Sequence, residues 1–180
     1  TLMLKRIGST MLAGENTAKK MLAWTAEGKD KLQSLYDEVL EEDDDESETE
    51  SSSEVKNLTA AEIECLERLV GVLKNNRDTD PKYRRVLDIL QRGTDDKEGG
   101  WKDKGCIVFS QYFDSANYVA ELLSKDFHDT SIGLYAGGDK SGIYRNGAFS
   151  KENKDVLKTM VKSRQLTILI GTDAASEGLN

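Results

Sequence analysis

The run Leu166-Thr-Ile-Leu-Ile-Gly-Thr-Asp-Ala-Ala-Ser-Glu-Gly-Leu-Asn180 decides how this chain is read. Its first part is a short apolar strand. The strand then opens into a small polar turn that holds Thr172, Asp173, Glu177 and Gly178. A hydroxyl and a carboxylate at the end of a buried strand lie where open α/β proteins bind ligands, outside the carboxyl edge of a parallel sheet. Upstream, Cys106-Ile-Val-Phe109 is a second short apolar run, and it empties into Ser110-Gln111-Tyr112 ahead of a helical pattern. The two polar strand ends are therefore expected to emerge side by side from one β-layer and to line one cleft.

Outward from these two strands the pattern alternates. It predicts a strand over 106–109, a helix over 114–123, a strand over 131–135, a long glycine-rich loop, a helix over 151–162 and a strand over 166–170. Alternating strands and helices imply a parallel sheet with right-handed crossovers. Because the sequence stops inside the turn after the third strand, the α/β unit is expected to be incomplete.

Toward the amino terminus the periodicity changes. Leu2, Met3, Leu4, Ile7, Met11 and Leu12, then Met21, Leu22, Trp24, Leu32, Leu35, Tyr36, Val39 and Leu40, recur at helical spacing. Residues 1–42 therefore read as a helical connecting segment. Residues 43–57, rich in Asp, Glu, Ser and Thr, have little apolar surface to bury and read as an acidic disordered linker. A connecting helix follows over 58–79, opened by Thr59 and Glu62 as a capping box. Asp80-Pro81 starts the next helix, with proline at a first position where its missing N–H costs nothing. Residues 80–180 are the α/β lobe.

The 180 residues suffice for one ordinary domain with a helical appendage. No apolar run approaches the roughly 18 residues of a membrane span, so no membrane partner is expected. Cys65 and Cys106 stand in unrelated contexts and read as reduced thiols of a cytosolic protein. The net charge of -8 is unevenly placed: residues 37–54 hold 11 acidic groups and no basic one, leaving 25 basic against 22 acidic residues elsewhere. The global charge is thus a poor guide to the surface of the body of the chain.

The segments KGCIVFSQYFDSANYVAELL and QLTILIGTDAASEGLN resemble motifs IV and V of superfamily-two helicases and translocases, in the second RecA-like lobe of the Swi2/Snf2 branch. The resemblance covers residues 80–180 well and the preceding helices only generally. It implies a RecA-like parallel sheet with flanking helices, truncated after motif V. The function it implies is that of the second motor lobe of an ATP-dependent nucleic-acid translocase, with DNA the favoured track over RNA. A first RecA-like lobe of the same protein would be its partner, ATP and Mg2+ its cofactors, and the compartment cytoplasmic or nucleoid-associated. Alone the chain is expected to be non-catalytic, because the Walker A lysine and the magnesium carboxylates belong to a first lobe.

Carried over by motif, Thr172 would contact a nucleic-acid phosphate, Gly178 would let backbone approach the nucleotide, and Asn180 would lie near the ribose. Asp173 would orient its neighbours, and Glu177 belongs to the same nucleotide group. Many DEAD-box relatives instead have Asp at the last of these positions and Arg in place of Glu177. A non-catalytic helicase-like binding module and an unrelated α/β nucleotide-binding domain are the alternative readings.

Other candidates come from residue chemistry. Ser110, Gln111 and Tyr112 stand where a helix after a strand exposes N–H donors, either a phosphate site or a plain helix cap. Lys140 and Arg145, in the glycine-rich loop, can reach a phosphate backbone. Gly137 to Gly142 is not followed by the Lys-Ser/Thr that a Walker A loop requires and reads as a surface loop. Asp37-Glu38-Val39-Leu40 imitates a magnesium-binding acidic box but lies in a helical pattern rather than at a strand end. Lys82, Arg84 and Arg85 read as a solvated helix face, His128 as a surface histidine and Trp101 as packing at the sheet edge.

Overall fold

The computed structural model describes residues 2–27, 58–94 and 99–172. The chain forms two compact units, residues 1–80 and 81–180. The proposed acidic linker and the residues Asp173, Glu177, Gly178 and Asn180 lie outside the described residues.

In the first unit, helices α1 (Leu2–Ser9), α2 (Met11–Glu27) and α3 (Ala60–Asn75) are followed by a short 3-10 turn (Arg77–Thr79). Thr10 caps α2, its hydroxyl accepting the Ala13 N–H at 3.1 Å. The helices meet at small residues: Ala13 and Ala18 are fully buried. A Cβ placed on Gly14 would stand 2.6 Å from Ile7 of α1 and 3.2 Å from Leu73 of α3, so glycine sets how closely these helices approach. Charged side chains are sealed inside, among them Arg6, Glu15 and Asp80. Arg6, 1% exposed, donates from Nε to Thr17 Oγ1 at 3.0 Å. Glu15 accepts from Arg77 Nε and Nη2 at 2.8 and 2.6 Å. The Asp80 carboxylate accepts the Met11 N–H at 2.7 Å, tying the end of the unit to the start of α2.

The capping box expected at Thr59 is present. Glu62 N–H donates to Thr59 Oγ1 at 3.3 Å, while Glu62 Oε2 accepts from the Thr59 N–H at 2.7 Å and from its hydroxyl at 2.8 Å. Replacing Thr59 by alanine is expected to cost about 1 kcal/mol. Urea unfolding of the two proteins would measure it, and superimposable curves would deny the cap any energetic role.

The second unit holds helices α4 (Pro81–Arg92) and α5 (Trp101–Lys104), then β1 (Cys106–Phe109), α6 (Phe113–Asp126), β2 (Ile132–Tyr135), β3 (Gly142–Arg145), β4 (Ala148–Lys151), α7 (Lys154–Lys162) and β5 (Ile168–Gly171). These make an α/β unit around one five-stranded sheet of order β1-β5-β2-β3-β4. Strands β1, β5 and β2 are parallel, whereas β2–β3 and β3–β4 are antiparallel.

The sheet is therefore mixed, not wholly parallel, and the expected glycine-rich loop corrects to a hairpin. The cause is local. Asn146 and Gly147 have φ of 49° and 78°, the left-handed pair of a type I′ turn, whose twist matches that of flanking strands. The same pairing moves the start of the next helix from 151 to 154. Lys151 belongs to β4, and Asn153 caps α7 by accepting the Asp155 N–H at 2.9 Å.

Successive strand residues face opposite sides, which separates the two helical layers. Tyr144 of β3 donates its hydroxyl to Asn117 of α6 at 2.8 Å. Its neighbour Ile143 instead joins Tyr135, Leu166 and Leu169 in a core with Leu157 of α7. Helices α6 and α7 thus cover opposite faces. Ile132, Leu134, Ile168 and Ile170, all fully buried, are what hold the parallel centre together. At roughly 25 cal/mol per Å2 of apolar area, each such side chain contributes on the order of 2 kcal/mol. Outside α6, Tyr83 of α4 packs its ring on Tyr118 at 6.3 Å and donates to Asp126. Burial, that hydrogen bond and the Asp126 charge hold its phenol above the ordinary range.

Candidate functional site

The strand ends that carry the two motif-like segments are adjacent. In the parallel register Phe109 is opposite Gly171, and Gly171 is opposite Tyr135. Pairing runs one residue past each strand: the Ser110 N–H donates to Gly171 O at 2.9 Å, and the Thr172 N–H to Tyr135 O at 3.0 Å. Ser110 and Thr172 therefore leave the same carboxyl edge side by side. From β1 the chain passes to α6 on one face; from β2 it reaches, through the hairpin, α7 on the other. Strand β5 lies between them. Divergent connections leave a crevice at such a point, and open α/β sheets bind ligands there.

The side chains at this edge differ in what they can offer. Thr172 is 6% exposed, and its Oγ1 is buried with no hydrogen-bond partner among the described residues. A buried hydroxyl left so costs about 1–3 kcal/mol relative to a satisfied one, which sets Thr172 apart from the polar groups around it. Ser110 Oγ donates back to Tyr112 O at 3.2 Å, so its proton serves its own loop. Gln111 is exposed. Behind them the amino end of α6 is partly satisfied locally, since Asp114 Oδ1 accepts the Ser115 N–H at 3.0 Å.

Three lysines border the same edge. Lys140 Nζ lies 5.0 Å from the centre of the Phe113 ring, at the start of α6. Lys154 Nζ, in the first turn of α7, lies 5.4 Å from the centre of the Tyr135 ring, at the end of β2. Lys151 pairs with Asp139 at 2.8 Å on the surface and holds that carboxyl below its usual range. Contact with the aromatic rings positions the first two ammonium groups. The loop carrying Lys140 is closed by Ser141, whose hydroxyl accepts the Ala136 N–H and donates to Ala136 O, both at 3.0 Å.

Two sequence candidates fall away from this set. Arg145 ends β3 at the opposite, amino edge of β2, where its Nε donates to Ser131 Oγ at 3.0 Å. In sequence Lys140 and Arg145 read as members of one loop; the hairpin carries them to opposite ends of a strand. Tyr112 is 4% exposed, so its ring is part of the interior and not of a contact surface. Conversely, Lys154 was not singled out in the sequence. Its signal was the Asn153 cap, which starts a helix at the same edge. Trp101 opens the short helix α5 and is half-buried, and His128 is exposed.

Comparison with family models, with curated proteins and with solved structures returned no match. Among the described residues no helix is long and apolar enough to cross a membrane.

Proposed function

We propose that residues 81–180 are a RecA-like second motor lobe of an ATP-dependent nucleic-acid translocase of the Swi2/Snf2 type, and that the carboxyl edge of the sheet is its nucleic-acid contact. The observation that carries this reading is the adjacency of the two motif-bearing strand ends, Phe109 and Gly171, in one parallel register. Support also comes from the Thr172 hydroxyl at that edge, which has no partner among the described residues and is a donor suited to a phosphate oxygen. Gln111 supplies a second neutral donor, and Lys140 and Lys154 supply charge. Such contacts position a strand without reading its bases, so binding is sequence-independent and weakens with salt.

In this reading ATP and Mg2+ lie between the lobe and a first lobe that provides the Walker A lysine and the magnesium carboxylates. ATP supplies the free energy that alternately closes and opens the two lobes. The part played by this chain is to hold the phosphate backbone at Thr172, Gln111 and the two lysines while that spacing changes.

Salt titration of duplex and single-stranded DNA binding tests the contact surface. Replacing Lys140 or Lys154 by alanine is expected to reduce the slope of log K against log salt by roughly 0.7–0.9 each. Arg145→Ala should leave the slope unchanged. In a protein joining this unit to a first lobe, Thr172→Val or Gln111→Ala should lower nucleic-acid-stimulated ATP hydrolysis while sparing the unstimulated rate. An equal salt slope for all three charge variants would point instead to an α/β unit that binds something other than nucleic acid at this edge.

A further inference from the structure

Asn146 and Gly147 form the whole loop of the β3–β4 hairpin, between the paired residues Arg145 and Ala148. Asparagine followed by glycine suits the turn, because both positions need positive φ. It is also the pair in which a side-chain amide is most open to the next backbone nitrogen, since glycine has no Cβ to block the approach. Asn146 is exposed to water and base.

One contact bears directly on the attacking atom. The Gly147 N–H donates to Ser124 Oγ at 2.9 Å. Ser124 is fully buried on α6 and donates its own proton to Glu121 O at 2.7 Å, so its oxygen is held in place. A bonded N–H is harder to ionise, and this one is directed at Ser124 rather than toward the Asn146 side chain. The ring of His128 adds a second hold, with Nδ1 3.4 Å from Asn146 Oδ1.

We propose that Asn146 is a latent deamidation site whose rate is set by the Ser124–Gly147 hydrogen bond. The chemistry needs only water and base. Gly147 N gives its proton to base and bonds to Asn146 Cγ; the bond from Cγ to the side-chain nitrogen breaks and ammonia leaves. Water then opens the cyclic imide at one of its two carbonyls, giving aspartate or isoaspartate with no change in oxidation state. Aspartate keeps the turn, because Asp-Gly also fits type I′, and it sets a carboxylate beside His128. Isoaspartate adds a backbone carbon to a loop of two residues and displaces the pairing of Arg145 with Ala148. This inference is independent of the proposed function.

The test is incubation of the whole chain in mildly alkaline buffer, with the mass of the peptide spanning Asn146 and its isoaspartate content followed over time. The native chain is expected to react more slowly than the same chain in urea. Ser124→Ala, folded by circular dichroism, should react roughly three- to tenfold faster than native, the worth of one hydrogen bond. Asn146→Asp should show no mass gain in that peptide. Equal rates in native buffer and in urea would overturn the proposal without recourse to any variant. So would a Ser124→Ala rate equal to native, or a mass gain that persists in Asn146→Asp.

Discussion

Replacing Arg77 by alanine is expected to destabilise the amino-terminal helical unit by about 2–3 kcal/mol. The Glu15 side chain is 0% exposed and Arg77 reaches it from a position 35% exposed, with two N–H donors on one carboxylate oxygen. Removing one member of such a pair leaves a charge in the interior without its main partner, which costs about 3–5 kcal/mol where both members are fully buried. The lower figure applies because Arg77 is partly solvated and Lys19 remains. Lys19 Nζ stands 2.6 Å from the second oxygen, an ion pair whose direction leaves that oxygen without a proper hydrogen bond. Lys19 therefore softens the loss without replacing Arg77. Urea unfolding, with hydrogen exchange of the α2 and α3 amides to localise the change, measures it. A midpoint unchanged by Arg77→Ala would mean that Glu15 is solvated or neutral in the folded protein.

Acid should expose the same pair. Burial by itself raises the Glu15 carboxyl, but the ammonium of Lys19 and the guanidinium of Arg77 beside it outweigh burial and hold the group below its ordinary value of 4.5. A carboxyl depressed by folding binds its proton more readily in the unfolded chain. Its stabilisation is complete above the unfolded value and drains away as pH falls from there through the lower folded value. The native unit should lose this stabilisation as pH falls below about 4.5, and Arg77→Ala should reduce that loss.

Gly142→Val is the second large effect, expected to cost about 3 kcal/mol and to release the hairpin. A Cβ at Gly142 would stand 2.4 Å from Ser150 O and 2.5 Å from two atoms of the Phe149 ring. The ring can turn, but Ser150 O belongs to the backbone of β4 and can withdraw only if the strands separate. The Phe149 ring also packs on Tyr144 at 5.0 Å, so its displacement is felt on the α6 face. Amide exchange should rise selectively in 142–151 while β1 and β5 stay protected. A stability within about 0.5 kcal/mol of the parent would mean that the hairpin is not closely packed there.

Much of this architecture was legible in the residues because its causes are local. The Thr59–Glu62 cap, the apolar runs at 106–109 and 166–170 and the periodic helices each depend on neighbours a few positions away. What was missed was also local in part. Asn146-Gly147 is a strong hairpin signal, but the surrounding glycines Gly137, Gly138 and Gly142 drew the whole region into one loop. The difference matters for the site, because a loop leaves Lys140 and Arg145 together and a hairpin separates them.

The sequence by itself determined the three parallel strands and the main helices, though not the β3–β4 hairpin, and that two of those strands run into hydroxyl, amide and carboxylate groups, because side-chain shape and spacing act over one turn or one strand. Only the tertiary structure decided that β5 inserts between β1 and β2, that α6 and α7 take opposite faces, and that Ser110 and Thr172 meet while Arg145 does not. Those outcomes depend on pairing between segments some 60 residues apart, where burial of both sheet faces selects the order and no local pattern can.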